Sequence, residues 1–366
     1  MNKTALYNLH LAADARMVEF AGYEMPVQYP LGVKKEHLWV RENAGLFDVS
    51  HMGQVILAGE GVKSGLEKLM PVDVEGLAEG TQRYGLFTNA EGGIQDDLMF
   101  ANWGDQVFVV VNAACKEQDI AHMQNALGQD KVQIIEDRSL LAIQGPKARQ
   151  AMAKLVPQVA DMVFMQSLKF DWNGTELWVS CSGYTGEDGY EVSVANDAAE
   201  AFAQALLAQE EVEWIGLGAR DSLRLESGLC LYGNDIDPTT TPLEASLIWA
   251  ISKNRRADGE RAGGFPGADI ILAQITNKDW TRKRVGLLGE GRAPIREGAE
   301  LFNEAGDKIG VVTSGSFGPT IGMPVAMGYV KSEFSEVGTS IQLEVRGKKY
   351  GGKISELPFY KKSYVK

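Results

Sequence analysis

The residue types best suited to chemistry are concentrated in the stretch Glu91-Gly92-Gly93-Ile94-Gln95-Asp96-Asp97-Leu98-Met99-Phe100. Two glycines close a turn, and Asp96 and Asp97 follow where a strand should begin; Leu98, Met99 and Phe100 read as that strand. Successive strand side chains point to opposite faces, so one aspartate faces inward and the other outward. An inward carboxylate is costly unless it is hydrogen-bonded or does chemistry. Ordinary turn capping also explains glycine and aspartate at such a place. A second dense set is Ser182-Gly183-Tyr184-Thr185-Gly186-Glu187-Asp188-Gly189-Tyr190-Glu191. Its three glycines let the backbone approach something closely. Functional residues concentrate on loops of this kind, although a decorated hairpin loop fits it equally.

Other chemistries find little material. His10, His37, His51 and His122 have no His or Cys partner at ligand spacing. Cys115, Cys181 and Cys230 are odd in number and far apart, which argues against a disulfide framework or a zinc site and for a reducing compartment. There is no GxGxxG, no GxxxxGK[ST] and no Gly-x-Ser-x-Gly elbow; Gly216-Leu217-Gly218 lacks the third glycine and a clear preceding strand. Hydride transfer, ATP chemistry and serine hydrolysis are therefore poorly supported. A net charge of -13 speaks against a nucleic-acid partner, which needs a basic face. No apolar run approaches a membrane span and no secretory signal is visible, so neither membrane association nor export is expected. A cytoplasmic location is expected if the source is bacterial.

The elements that must carry these residues follow from pattern. The chain has 366 residues, which suggests two or three domains at about 100–200 residues each. Tyr7 to Ala13 reads as a short helix, Val18 to Tyr29 as a loop, and Lys34 to Ala44 as a helix capped by Gly45. Residues 51–137 read β-α-β-β-β-α-β, with strands at Gly53–Ala58, Tyr84–Thr88, Asp97–Ala101, Val107–Val111 and Val132–Ile135. The next segment echoes this with strands at Leu140–Ile143 and Glu191–Val194, and with a hairpin around Asn173-Gly174. Gly218 to Ser227 reads as a helix capped by Gly228, with Arg220 and Arg224 on one face. Lys253 to Pro266 is charged and glycine-rich and reads as a surface linker. From Arg284 onward short apolar runs recur between glycines, the spacing of a small barrel or sandwich. The fold class is α+β: two antiparallel-sheet units followed by an all-β unit.

Five motifs, taken in order, resemble one family. They are Phe47-Asp48-Val49-Ser50-His51-Met52, Gly92-Gly93-Ile94-Gln95-Asp96-Asp97-Leu98, Gly183 to Glu191, Gly218-Ala219-Arg220-Asp221-Ser222-Leu223-Arg224-Leu225-Glu226 and Leu231-Tyr232-Gly233-Asn234-Asp235. Together they look like the T-protein family, the aminomethyltransferases of the glycine cleavage system. The likeness runs nearly end to end. It implies two α+β domains of ferredoxin-like or Greek-key type and a jelly-roll-like C-terminal barrel around a central folate channel. The first domain would be discontinuous, residues 1–50 and 138–270, interrupted by residues 51–137, with the barrel at 271–366.

The implied reaction moves a methylene from an aminomethyl group on the lipoyl arm of H-protein to tetrahydrofolate, with release of ammonia. No metal, flavin or nicotinamide is implied. By resemblance Asp96 is the catalytic carboxylate and Asp97 the outward or structural one. Glu191 and Arg220 bind folate, Tyr184 offers an aromatic face with a polar tip, Asn112, Met52 and Tyr84 make further folate contacts, and Tyr364 closes the site. The nearest alternative is another folate-dependent demethylase or one-carbon transferase on the same fold; those relatives diverge at the catalytic Asp and at the glycine-tyrosine loop, and both fit here. A flavin-linked dimethylglycine or sarcosine dehydrogenase would need a Rossmann motif, and a folate-binding protein of iron–sulfur assembly would carry a cysteine within the loop 183–191. Two locally basic stretches, Lys253-Asn254-Arg255-Arg256 and Arg282-Lys283-Arg284, are candidates for a rim that docks an acidic carrier, although charge runs are more often simply solvated.

Overall fold

The computed structural model describes residues 1–345 and 347–366. Three sheet systems organise it. The first has six strands in the order Ser167–Trp172, Thr175–Ser180, Gly189–Ala195, Arg138–Gln144, Ala44–Asp48 and Val212–Trp214. The second has five, in the order Thr81–Thr88, Ile94–Asn102, Gln106–Val111, Gly53–Ala58 and Val132–Ile135, all antiparallel. The third is a closed six-stranded barrel running from Arg282–Gly289 to Lys348–Ser355. The mixed α+β class and the C-terminal barrel stand as expected, and closure settles the barrel-or-sandwich alternative by removing free strand edges. Each sheet carries its own apolar core. Phe47 and Leu140 line one face of the first sheet, Phe87 and Phe100 lie in the core of the second, and Leu287 and Leu343 fill the barrel.

Three local readings change. Val18–Tyr29 is not a loop: Arg16–Phe20 and Tyr23–Gln28 form an antiparallel hairpin. Ala21 and Gly22 turn it, both with positive φ (49° and 82°) as a two-residue hairpin turn of this hand requires. Pro26 obscured the strand, yet a two-stranded ribbon has edges that tolerate proline. Gly45 is not a helix cap. The helix Val33–Glu42 ends before it, and Ala44–Asp48 is a fully buried strand. A Cβ on Gly45 would lie 2.5 Å from Val40 Cγ2 and 2.6 Å from Ile215 Cγ1, so the glycine permits close helix–sheet packing. A helix at Ala268–Asn277, unmarked in the sequence reading, follows the segment 253–266.

The helix Leu217–Glu226 joins the pieces. It ends as expected at Gly228, whose φ is +65° and whose N–H donates to the Leu225 carbonyl. Arg224 on this helix is buried and donates from Nη1 to Asp235 at 2.7 Å and from Nη2 to Ser314 of the barrel at 2.9 Å. Glu226 accepts from His37 Nε2 at 3.0 Å and Arg41 Nη2 at 3.2 Å, and it receives the Thr320 N–H at 2.8 Å. One helix thus ties the six-stranded sheet to the barrel through buried charge. The face shared by Arg220 and Arg224 in the sequence is divided between two tasks, because Arg220 turns toward the site.

Candidate functional site

Asp97 is the centre of a polar group between the sheet systems. Its strand, Ile94–Asn102, starts three residues earlier than the pattern suggested, so both aspartates lie inside the ladder. Asp97 is opposite Leu86, and Tyr84, two residues from Leu86, projects to the same face. Tyr84 Oη donates to Asp97 Oδ2 at 2.8 Å, and Asn112 Nδ2 donates to Asp97 Oδ1 at 2.7 Å. Burial, together with the neighbouring Asp96 charge, pushes Asp97 up to about 7. A half-buried carboxyl that titrates near neutrality is suited to take up and return a proton.

Asp96 faces the other way. Its side chain is fully buried, it lies opposite Phe87, and it accepts from Asn112 Nδ2 at 2.8 Å and from the Asn112 backbone N–H at 3.3 Å. The strand alternation expected for the pair is therefore present in the expected sense, with Asp96 inward in its own sheet's unit and Asp97 outward. The face that is outward for the five-stranded sheet is the face that the rest of the chain covers. Asp96 is enclosed in its own domain's interior, whereas Asp97 is only half-buried and faces the polar group.

The other half of the group comes from the six-stranded sheet and its connections. Tyr184 Oη donates to the Cys230 carbonyl. The Arg220 guanidinium lies 4.7 Å from the centre of the Tyr184 ring, a cation–π arrangement. Glu191, on Gly189–Ala195, accepts from Ser182 Oγ at 2.8 Å and lies close enough for its charge to support that of Arg220, which burial otherwise holds below its usual range. Arg220 Nη1 is buried and has no acceptor within the described residues. A buried donor left in this state is costly, and a ligand oxygen is the natural partner. Tyr184 Oη reaches the Cys230 carbonyl, and Tyr84 packs on the apolar cluster that contains Cys230, so the two halves meet there.

Met52 and Val110, the latter two residues before Asn112, both pack against the apolar cluster that contains Phe47, Val49 and Leu140. Tyr364 stands apart. Its ring stacks on Phe164 with centroids 4.0 Å apart, and the charges that reach it are those of Glu187 and Arg41. Several residues of the glycine-tyrosine loop prove structural: Glu187 pairs with Arg41 at 2.9 Å and Asp188 with Arg149 at 3.0 Å. A Cβ on Gly183 would fall 1.8 Å from Gln144 Oε1, so what the backbone approaches there is the protein itself.

The sequence reading passed over four neighbours of the site. Cys230 and Tyr232 come from the turn after Gly228, and Tyr232, like Tyr84, packs against the apolar cluster that contains Cys230. Lys362, half-buried, places its charge near Arg284 and Cys230. His51, inside a quoted motif but given no role, is buried with Nδ1 unpartnered and is held down to about 4 by burial and by Arg220, so it is neutral at pH 7. The positions of His51 and Tyr232 within quoted motifs could have drawn attention; Cys230 and Lys362 carry no local signal.

A cleft of about 500 Å³ leads from the surface to Tyr84, between Arg83, Trp249 and Lys253. Trp249 stacks on Tyr84 at 5.3 Å and is largely exposed. The expected basic rim is only partly present here. Arg255 is buried and donates to Glu67 at 3.2 Å, and Arg284 is buried against the Ala245 carbonyl at 2.8 Å. Lys253 is the one fully exposed cation of the two stretches.

Two mixed α+β sheet units, the first antiparallel but for the parallel pairing of Val212–Trp214 with Ala44–Asp48, and a closed C-terminal barrel are the architecture of a GCVT-type protein. The family described as GCVT N-terminal domain matches residues 6–255, and the glycine cleavage T-protein C-terminal barrel domain matches residues 282–361. The chain therefore belongs to the glycine cleavage T-protein family and is an enzyme of the aminomethyltransferase kind. It is 44% identical to the mitochondrial aminomethyltransferase of Dictyostelium discoideum, over all of this chain and 94% of that one. It is 42% identical to that of Pisum sativum, over all of this chain and 91% of that one. The crystal structure of glycine cleavage system aminomethyltransferase T from Bartonella henselae superposes with a TM-score of 0.93 at 43% identity, over all of this chain and 99% of that one.

Proposed function

We propose that this enzyme transfers the methylene of an aminomethyl group, carried on the lipoyl arm of H-protein, to tetrahydrofolate as co-substrate. The carbon exchanges its bonds to sulfur and to the amine nitrogen for two bonds to folate nitrogens; the two folate N–H protons leave with the thiol and the ammonia, so no electrons are transferred overall. The observation that carries this reading is the Asp97 carboxyl, poised by Tyr84 and Asn112 beside Glu191, Tyr184 and Arg220. Asp97 is assigned the proton-handling role. Asp96, to which the resemblance gave that role, is assigned to support it. Glu191 retains an oxygen, Oε1, with which to accept ligand N–H groups. Arg220 retains its orphaned Nη1, and Tyr184 offers a ring face; these groups fit a pterin bearing adjacent N–H donors and an oxygen.

The cleft beside Tyr84 is assigned to the entering lipoyl arm, because it opens onto Tyr84, which donates to Asp97. A reconstituted assay tests the reading: glycine with H-protein, the lipoyl-loading enzyme and tetrahydrofolate should release ammonia only when this protein is present. Ammonia release that does not require folate would remove the proposal.

Two site variants separate binding from chemistry. Glu191→Gln turns an amide N–H toward ligand donors and is expected to weaken tetrahydrofolate binding by about 1–3 kcal/mol, the cost of a mispaired buried polar group. Arg220→Ala should weaken it comparably. Titration calorimetry checks both, and unchanged affinity in the pair would place folate elsewhere.

A further inference from the structure

Behind Asp96 lies a second buried acid that the functional reading does not use. Asp119, on the helix Lys116–Leu127, is 1% exposed, and among the described residues neither of its oxygens has an N–H or hydroxyl partner. Its carboxyl is within hydrogen-bond reach of that of Asp96. Two carboxyls in contact, enclosed and without a cation, cannot both be ionised. The groups whose charge bears on them are Cys115, Asp97 and Tyr232; His122, three residues along the same helix and edge-on to Phe87 opposite Asp96, is held toward its neutral form by burial. One proton must therefore be shared, and Asp119 is the holder, pushed up to about 10 by burial and by Asp96. The neutral Asp119 donates to Asp96. Asp96 accepts from Asn112 Nδ2 at 2.8 Å, and the same amide nitrogen donates to Asp97 Oδ1 at 2.7 Å. Because Asn112 meets carboxylate oxygens on both sides, it must present its NH2 to them.

We propose that Asp119 is a positioning residue for the reaction: by lending its proton to Asp96 it fixes the Asn112 amide, and through that amide the orientation and charge of Asp97. The proposal rests on the assignment of Asp97 above and names a residue two side chains removed from it. As long as Asp119 donates, Asp96 stays anionic and its charge resists ionisation of Asp97. When the donor is removed, Asp96 becomes a lone buried acid and takes the proton itself. The repulsion on Asp97 then disappears, and Asp97 ionises at lower pH.

The test compares Asp119→Asn, which keeps a neutral donor, with Asp119→Leu, which does not. Asp119→Asn should retain turnover and the wild-type pH profile. Asp119→Leu should lower kcat by about 10-fold, within the roughly 100-fold that a misplaced catalytic group can cost. It should leave KM for tetrahydrofolate unchanged and move the acid limb of the kcat profile to lower pH. A purely structural role would lower stability in both variants and leave that limb in place; an unmoved limb in Asp119→Leu, or equal shifts in both, overturns the proposal. Should Asp119→Leu fail to fold, infrared spectroscopy decides. The wild-type protein must show a protonated-carboxyl stretch at pH 8 that Asp119→Asn abolishes, and its absence or persistence overturns the proposal. An active Asp97→Asn variant would defeat the functional assignment itself, whereas an inactive one with an unmoved Asp119→Leu profile defeats only the role of Asp119.

Discussion

Asp97→Asn is expected to reduce kcat by about 10²- to 10⁴-fold, the range that a positioned acid–base group contributes, while much of the tetrahydrofolate affinity remains. The amide occupies the same volume and still accepts from Tyr84 or Asn112, but it cannot take a proton as the carboxylate does. Glu191 and Arg220 lie on other elements and are untouched by the change. Asp96→Asn should cost less, because it disturbs the support of Asp97 and leaves its carboxylate in place. Steady-state ammonia release and folate calorimetry on the two variants give the answer. If Asp96→Asn is the inactive protein and Asp97→Asn turns over, the assignment by strand face is wrong.

Asp235→Ala should produce the largest loss of stability, about 3–5 kcal/mol, the penalty for leaving a buried charge without its partner. Asp235 is 1% exposed and accepts from Arg224 Nη1 at 2.7 Å, Thr313 Oγ1 at 2.6 Å, Ser314 Oγ at 2.9 Å and the Leu231 N–H at 2.9 Å. One carboxylate thus joins the helix Leu217–Glu226, the turn after it and the barrel. Its removal leaves Arg224, itself buried, to the mostly exposed Asp221 at 2.8 Å. Urea unfolding monitored by tryptophan fluorescence measures the loss. A change below about 1 kcal/mol, the scale of an exposed pair, would show that Asp221 neutralises Arg224 unaided.

The pattern of the chain carried much of this architecture. Apolar runs such as Val107–Val111 and the Asn173-Gly174 turn are local signals, and strands and a hairpin occur where they point. The alternating apolar runs after Arg284 likewise announced an all-β unit. Local signals misled where a residue answered to distant packing. Gly45 had the look of a cap and serves helix–sheet contact; Pro26 suggested a loop and sits in a two-stranded ribbon. Arg255 and Arg284 read as surface charge, yet Glu67 and the Ala245 carbonyl, both far away in sequence, bury them.

The aspartate pair shows the same division most clearly. From residue order alone it follows that Asp96 and Asp97 point to opposite faces, because a strand side chain alternates with period two whatever surrounds it. Residue order also places Tyr184, Glu191 and Arg220 in motifs suited to a polar ligand. Which face of the strand is interior to its own domain, and which is interior to the whole protein, depends on what covers the sheet. Cys230 and Tyr232 cover it, from a turn more than a hundred residues away, and their presence makes the outward face of one unit the inner wall of the site. Asp119 joined Asp96 for the same reason: a helix packed on a sheet sets two acids side by side, and burial turns that contact into a shared proton.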